Sequence, residues 1–409
     1  MGLKPFRLEH MVATPVGVCI IVENLPVPQD RRVWQEARAL TEVGHRVSII
    51  CPKGPGFERA RETLEGIEIY RHDLREGSGP LGYLVEYTWA LAVELFWALR
   101  IYARTGFRVL QACNPPDTIF LIGAFFKLLG VRFIFDHHDL NPELYEVKFR
   151  RKDFLYRLVC LAERLTFRTA DVAIATNSSY RDVALTRGGM SPERSFVVRS
   201  CPDLNRFQWQ PPRLELKEGN EHLVVYIGVM GPQDGVDLLL ASIEYIVKNK
   251  SRRDTLFVLI GDGTERQLLK TAAKSRGLNS FVKFTGRIPD SEVGAYFSTA
   301  DIGVAPDPKN AMNDKSTMNK VLEYMGYGLP VVLYDLTEGR RSAEDAALYA
   351  CPNNPIDFAE KVLTLLDSES LRRELGQRAR KRIEECFSWE TDKQVLLKAY
   401  ETALRPQGA

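Results

Sequence analysis

The chain has 409 residues, 45% hydrophobic and 26% charged, with 55 Lys+Arg against 53 Asp+Glu and a formal net charge of +2. That is enough for two or three ordinary globular domains with sizeable cores. The near-even charge excludes a dedicated nucleic-acid binder, which carries a basic excess, and argues against long disordered tails. Seven cysteines with no C-x-x-C pair point to a reducing compartment without a disulfide framework or a zinc site.

The first residues, MGLKPFRLEHMVATP, hold no apolar stretch of leader length, so no secretory leader is expected. From Val16 the chain alternates short β-branched runs with helical patterns. VGVCIIV (16–22) lacks polar alternation, as a parallel strand buried on both faces does. RRVWQEARALTEVG (31–44) has apolar residues near 3.6 spacing and ends on glycine, which predicts a helix opened by Asp30 or its polar neighbours. Strands are predicted at RVSIIC (46–51), GIEIYR (66–71), FRVLQA (107–112), VRFIFD (131–136), VAIAT (172–176) and SFVVRS (195–200). Between them, Leu81–Tyr102 is the most apolar stretch, but it carries Glu86 and Glu94, eight apart on nearly one face. Carboxylates at the centre of a membrane span cost roughly 2–3 kcal/mol each, so a half-buried amphipathic helix is expected there.

Three prolines and a polar cluster in 201–222 predict a linker. The alternation then restarts with LVVYIG (223–228), a helix from Val236, TLFVLIG (255–261) and a helix from Thr264. SFVKFTG (280–286), a helix from Ser291, DIGVAP (301–306), a helix near Thr317–Tyr327, PVVLYD (330–335), ALYA (347–350) and C-terminal helices follow. Strand–helix–strand succession implies right-handed crossovers and parallel sheets, hence an α/β class with two similar domains and a cleft between their strand ends. Ligands bind at such ends because loops and helix N-termini converge there, which suits an anionic, phosphorylated ligand.

Four constellations lie where that cleft is expected. In GVMGPQDGVDLLL (228–240), Gly228, Gly231 and Gly235 follow a strand and precede a helix; glycines there admit a phosphate to the backbone or serve only a tight turn. In 307–335, Ser316 or Thr317 is expected to cap a helix whose second turn carries Glu323, a carboxylate able to accept both hydroxyls of a ribose or simply to face solvent. FDHHDLNPELY (135–145) places His137, His138 and Asp139 directly after a strand, where imidazole holds a hydroxyl or moves a proton. Adjacent histidines on an extended chain point to opposite sides, which disfavours a metal pair and leaves a purely structural role open. In NLPVPQDRRVWQEA (24–37), Arg31 and Arg32 open a helix; arginine suits diphosphate recognition, but such arginines are also often solvated.

Taken together, VPQDRRVWQEARALTEVGHRVSIICPKG, FDHHDLNPELY, YIGVMGPQDGVDLLL, FTGRIPDSEV, ADIGVAPDP and STMNKVLEYMGYGLPVV occur in the order of a known family. Over nearly the whole chain the sequence resembles the GT-B-fold glycosyltransferases of family four, the retaining, nucleotide-sugar-dependent "group 1" set. The resemblance implies two Rossmann-like domains: an acceptor-side domain over 1–205, a linker at 206–220, a sugar-donor domain over 221–386, and a C-terminal helix over 387–409 that crosses back to brace the first. It implies that Glu323 binds the donor ribose, His138 meets the transferred sugar or its phosphate, backbone around Gly286 and Arg287 meets the nucleobase, and Ser316, Thr317, Met318 and Asn319 lie over the diphosphate or sugar. Asp139 stands beside His138 in the same pattern, and Gly228 and Gly231 line the donor loop.

The chain also departs from the pattern. Lys315 stands where the first glutamate of the E-x7-E pair is usual, and Val229 and Asp234 replace the Arg and Lys of the G-R-x-x-x-x-K-G turn. Removing a cation that stabilises a leaving phosphate commonly costs orders of magnitude in rate. The candidate replacements are Lys315, Lys320, Arg287 and Arg31. The reaction implied is metal-independent, cofactor-free retaining transfer from a nucleotide-diphosphate sugar to a glycan or lipid-linked acceptor in cell-surface polysaccharide, glycolipid or glycoconjugate synthesis. A nucleotide-sugar epimerase and a non-catalytic partner subunit on the same fold are the alternatives. Tyr145–Arg168, with seven Lys/Arg against three acids and an amphipathic stretch from Phe154, predicts either peripheral contact with an anionic membrane by a cytoplasmic protein or a core-packing helix with a solvated basic edge.

Overall fold

The computed structural model describes residues 15–73, 79–201 and 210–405, and side chains throughout these except at 79–87. The chain divides into two compact units, one comprising residues up to Arg199 together with those from Glu390 onward, the other Ser200–Trp389.

The first unit runs β1 (Gly17–Ile21), α1 (Arg31–Glu42), β2 (Arg46–Pro52), β3 (Arg61–Leu64), β4 (Ile67–His72), α2 (Gly79–Thr105), β5 (Val109–Cys113) and α3 (Phe120–Leu128). It continues β6 (Arg132–His137), α4 (Asn141–Phe149), α5 (Phe154–Thr169), β7 (Val172–Ala175), α6 (Ser178–Thr186) and β8 (Ser195–Val197). Its eight strands take the order β3-β4-β2-β1-β5-β6-β7-β8. All pairings are parallel except β3–β4, a hairpin that the sequence reading does not contain. β1, β5 and β7 are buried at every position, as strands covered by helices on both faces must be.

The second unit runs β9 (His222–Ile227), α7 (Val236–Glu244), β10 (Thr255–Ile260), α8 (Arg266–Ser275), β11 (Val282–Gly286), α9 (Asp290–Thr299) and β12 (Ile302–Ala305). It ends with α10 (Asn319–Gly326), β13 (Val331–Tyr334), α11 (Thr337–Ala343), β14 (Ala347–Ala350), α12 (Pro355–Leu366) and α13 (Glu369–Cys386). The six strands are parallel in the order β11-β10-β9-β12-β13-β14. Two apolar clusters, one including Val224, Leu240 and Phe358, the other Leu223, Tyr324 and Ile383, fill the two faces.

In both sheets the chain leaves the first strand in one direction and returns on its other side, at β1/β5 and at β9/β12. These are the topological switch points at which doubly wound sheets bind ligands. The last helix, α14 (Trp389–Leu404), packs on the first unit: Tyr400 bonds to Gln111 of β5, Asp392 accepts from the Arg199 amide at 3.1 Å, and Lys393 pairs with Glu42.

Several expectations need correcting. The helix carrying Glu323 is not capped by Ser316 or Thr317; it starts at Asn319 with Met318 as N-cap and no capping side chain. Ser316 closes the preceding 3-10 turn (Asn313–Lys315), and its hydroxyl donates to the Met312 carbonyl at 2.9 Å, so it is spent one turn early. The helix expected from Thr264 begins at Arg266. The stretch read as linker contains a 3-10 turn at Leu214–Lys217, and its residues 202–209 lie outside the described residues, as does the extreme N-terminus. α2 is half-buried as expected, with Ala90, Ala98 and Ile101 inside, but the polar face expected of it is not where Glu94 lies. That carboxyl is fully buried and raised by desolvation and by Glu23, while Phe96 and Leu99 are exposed, and Glu86 falls among the undescribed side chains. Among the described residues, no helix is long and apolar enough to cross a membrane.

Candidate functional site

At the first switch point the side chains come from the ends of β5 and β6 and from the first turn of α1. Asp30 caps that helix, accepting from the Val33 amide at 3.0 Å, and so fixes the direction of the next residues. Arg31 stays at the surface, but Arg32 turns inward and is 9% exposed. Its guanidinium donates to Asp136 Oδ1 at 2.8 Å and to the Val198 carbonyl at 2.6 Å. His138 Nε2 lies 2.8 Å from Asp136 Oδ2 and 3.0 Å from Arg32 Nε. One nitrogen cannot both donate to the carboxylate and accept from the guanidinium. Nε2–H facing Asp136 is the arrangement that leaves no lone pair against the carboxylate, so Nδ1 is the nitrogen left for a ligand.

The electrostatics follow from burial. Burial disfavours the Asp136 charge, but Arg32 and then His138 outweigh it and hold the carboxyl well below its usual range. Burial likewise opposes an imidazolium at His138, and Asp136 reverses the balance, raising it above its usual value. Glu36, one turn beyond Arg32 and fully buried, is pushed up to about 8 by desolvation and by Asp136, so near neutrality it is mostly protonated. The backbone of the site is clamped by Asn114, whose Oδ1 accepts from the amides of His138 at 2.7 Å and Asp139 at 3.1 Å. Desolvation raises Asp139, opposed by His138.

The two histidines go opposite ways, as their adjacency on a strand end requires. His137 packs among Phe135, Phe167 and Tyr180, and desolvation holds it down to about 3, so it is a neutral core residue. Cys113, Asp136 and His138 place ligand atoms within 4.8 Å of one another. The Arg32 guanidinium occupies that cluster, so a metal ion there would meet a fixed positive charge.

At the second switch point the Gly-rich turn follows β9. The Gly228 amide donates to the Ile260 carbonyl at 3.1 Å, and that of Gly231 to Asp234 Oδ2 at 2.9 Å. Both are therefore taken by the chain itself. Glycine is required at Gly235, which has φ +69° and where a Cβ would stand 2.0 Å from the Pro306 carbonyl oxygen. Asp234, where the resemblance leads one to expect a lysine, caps the turn as an anion would; burial raises its carboxyl, opposed by Lys320.

Lys320, in the first turn of α10, comes to this turn: a Cβ on Gly228 would stand 3.3 Å from its Cε. Its ammonium is buried, 2.8 and 3.0 Å from the two oxygens of Asp307 just beyond β12, and 4.9 Å from the Tyr226 ring centroid. Burial opposes the charge, but Asp307 outweighs it and raises the lysine. Lys315 closes the 3-10 turn and is half-buried, Ser316, Thr317, Met318 and Glu323 are half-buried, and Asn319 and Arg287 are exposed. Structure thus joins Gly228, Gly231 and Lys320 in one cluster. Sequence reasoning missed Asp307 and Tyr226 there, and Asp136 and Gln111 beside the expected Arg32 at the first switch point; the one available signal was a carboxylate inside the otherwise apolar run FIFDH.

Comparison with known proteins agrees with this architecture. Residues 208–382 match the family described as "Glycosyl transferases group 1", and residues 29–200 the "Glycosyl transferase 4-like domain". The chain is 22% identical to 2-deoxystreptamine glucosyltransferase of Streptomyces kanamyceticus, over 82% of this chain and 89% of that protein. It is 29% identical to the uncharacterised glycosyltransferase MJ1178 of Methanocaldococcus jannaschii, over 45% of this chain, and that match spans only about half, 49%, of the relative's own length. Among solved structures it is similar to sucrose-phosphate synthase of Thermosynechococcus elongatus, with a TM-score of 0.76, 18% identity, and 94% of this chain and 98% of that chain covered. It is also similar to Anabaena HepE in complex with UDP and glucose, with a TM-score of 0.73, 16% identity, and 95% and 100% covered. Two parallel-sheet domains of the GT-B type, matched in family order along most of their length, make this chain a member of the group 1 glycosyltransferases.

Proposed function

We propose that the protein is a retaining glycosyltransferase that moves a sugar from a nucleotide-diphosphate sugar to a hydroxyl of a glycan or lipid-linked acceptor, in cell-surface polysaccharide, glycolipid or glycoconjugate synthesis. The observation that carries this reading is the placement of the polar motifs at the carboxyl ends of strands at both switch points. In the first unit His138, with Nε2 held by Asp136, offers Nδ1 to a sugar hydroxyl or phosphate oxygen. In the second, Glu323 accepts the ribose hydroxyls, backbone around Gly286 and Arg287 meets the base, and Lys320 with Lys315 supplies the cations that positions 229 and 234 lack. The acceptor attacks on the face from which the nucleotide leaves, and the leaving phosphate takes its proton, so no protein base and no metal ion are needed. UDP, held by the Anabaena neighbour, is the first nucleotide to test. Purified protein is titrated with ADP, GDP and UDP by calorimetry, then assayed for transfer from the matching sugar nucleotides. Conversion of the sugar nucleotide without an acceptor, or no nucleotide binding at all, would refute the reading.

The acceptor side includes a membrane-facing surface in this reading. α5 exposes Phe154 (71%), Leu155, Leu158 and Leu161 beside exposed Arg157, Arg164 and Arg168, and the neighbouring α3 exposes Leu121, Phe125 and Leu128. Apolar side chains interleaved with cations fit an anionic bilayer, each basic residue contributing about 1 kcal/mol near the surface. In this reading the enzyme works at the inner face of the cell membrane, on the cytoplasmic side. Flotation with vesicles of anionic lipid but not neutral lipid, reduced in Arg157→Glu/Arg164→Glu, is the expected result; equal flotation with both lipids would overturn it.

A further inference from the structure

The last helix of the chain reaches the His138 cluster through a single hydroxyl. Tyr400 of α14 is 1% exposed, and its hydroxyl donates to Oε1 of Gln111 on β5. A tyrosine hydroxyl can donate or accept, but the Asp136 carboxylate only accepts, so the Gln111 NH2 faces the carboxyl groups and its Oε1 receives the Tyr400 proton. Its Nε2 is then the end that meets the two carboxyl groups, donating to Glu36 Oε2 at 2.7 Å and to Asp136 Oδ2 at 3.1 Å. The same Asp136 oxygen is the one 2.8 Å from His138 Nε2. Four elements, α14, β5, β6 and α1, thus share one buried chain of bonds.

We infer that Tyr400 is a positioning residue for His138: it anchors the Gln111 amide, which holds Asp136, which sets the tautomer and direction of the imidazole. The inference rests on reading His138 as a contact to the sugar donor. Without the hydroxyl, Gln111 Oε1 is buried with no donor, a cost of ~1–3 kcal/mol that the amide reduces by shifting from its place. That shift lengthens its Nε2 bonds to Glu36 and Asp136 and loosens the hold on the Asp136 carboxylate. Asp136 then moves from His138 Nε2, and the imidazole is left with Arg32 as the closest charge, with Asp30 beyond it.

The experiment follows the His138 ring by NMR across pH in the full-length protein and in Tyr400→Phe, with His138→Gln assigning the signal. Initial rates are measured on the same samples. The expected result is a His138 midpoint lower by ~1 pH unit in Tyr400→Phe, with kcat about tenfold lower, KM for the sugar nucleotide unchanged, and no further loss when Tyr400→Phe is added to His138→Gln. A helix that only braces the unit would lower the melting temperature and leave the His138 midpoint where it was; that outcome overturns the inference. Full activity of His138→Gln would refute the reading of the site, and the NMR midpoint alone would then decide the linkage.

Discussion

Replacing Lys320 by methionine separates two things that this residue does. The side chain is 10% exposed and its partner Asp307 4% exposed, with ammonium–carboxylate distances of 2.8 and 3.0 Å and the Tyr226 ring beneath. Methionine keeps the apolar stem and removes the charge, so Asp307 is left buried and unpaired. Breaking a buried pair from one side costs about 3–5 kcal/mol. For a unit of this size each kcal/mol moves the melting point by ~2–4 °C, so the expected fall is roughly 6–20 °C. Adding Asp307→Asn removes the orphan charge and restores most of that loss. If Lys320 also meets the diphosphate, the double variant remains defective in binding. An ionic hydrogen bond contributes about 1.5–3 kcal/mol, and sharing with Asp307 keeps the value at the lower end, about tenfold in Kd. Thermal melts and nucleoside-diphosphate calorimetry on wild type, single and double variants read both effects. A single variant that melts with wild type would refute the buried pair, and a recovered double variant that binds like wild type would refute the phosphate role.

Three further outcomes are expected. Asp234→Lys, with Asp234→Asn as control for the lost bond to Gly231, should tighten nucleoside-diphosphate binding about tenfold at low salt and less at high salt; unchanged binding would show that the turn does not face the phosphates. His137, neutral in the fold and held at about 3 against an ordinary value near 6.5, contributes stability present above pH 6.5 and lost as pH falls toward 3, at up to about 1.4 kcal/mol per pH unit. His137→Phe should therefore flatten the acid limb of the urea-midpoint profile relative to wild type, and an unchanged slope would refute the assignment. Gly235→Ala should lower the urea midpoint by an amount worth more than ~2 kcal/mol, since its Cβ would meet the Pro306 carbonyl at 2.0 Å and its φ of +69° is one L residues avoid; a wild-type midpoint would contradict the close approach.

Most of the fold was readable because parallel strands covered on both faces write themselves as unbroken β-branched runs. GVCII and VAIA are buried throughout, and both are recognisable without a partner. The hairpin strand β3 was missed for the opposite reason: RETL is an edge strand with alternating exposure and polar composition, indistinguishable from a loop. The start of α10 was misplaced because Ser316 is a good cap in isolation, and only the fold shows its hydroxyl committed to Met312. The site was legible in its motifs and not in its connections. Arg32 and Asp136 are 104 positions apart, Gln111 and Glu36 75, and Tyr400 and Gln111 289. No periodicity reports a bond across such separations.

The two switch points use the same electrostatic device, and this bears on the missing cations of the Gly-rich turn. Arg32 is locked to Asp136 and Lys320 to Asp307, so each buried cation carries its own counter-ion from a neighbouring strand end. A paired cation attracts an anion less from a distance than a free one does, but its position is fixed before the ligand arrives, and a charge that need not reorganise is most effective where charge develops during reaction. An unpaired lysine in the turn attracts the anion from a distance, and to the extent that it acts on ground state and transition state alike it lowers KM without raising kcat. If Lys320 meets the leaving phosphate, Asp234 in place of a turn lysine, beside the buried Lys320–Asp307 pair, trades affinity for the intact sugar nucleotide against a preset field there. On this account Asp234→Lys tightens nucleoside-diphosphate binding without a matching gain in kcat; a variant that gained both equally would show the wild-type turn to be merely short of a cation.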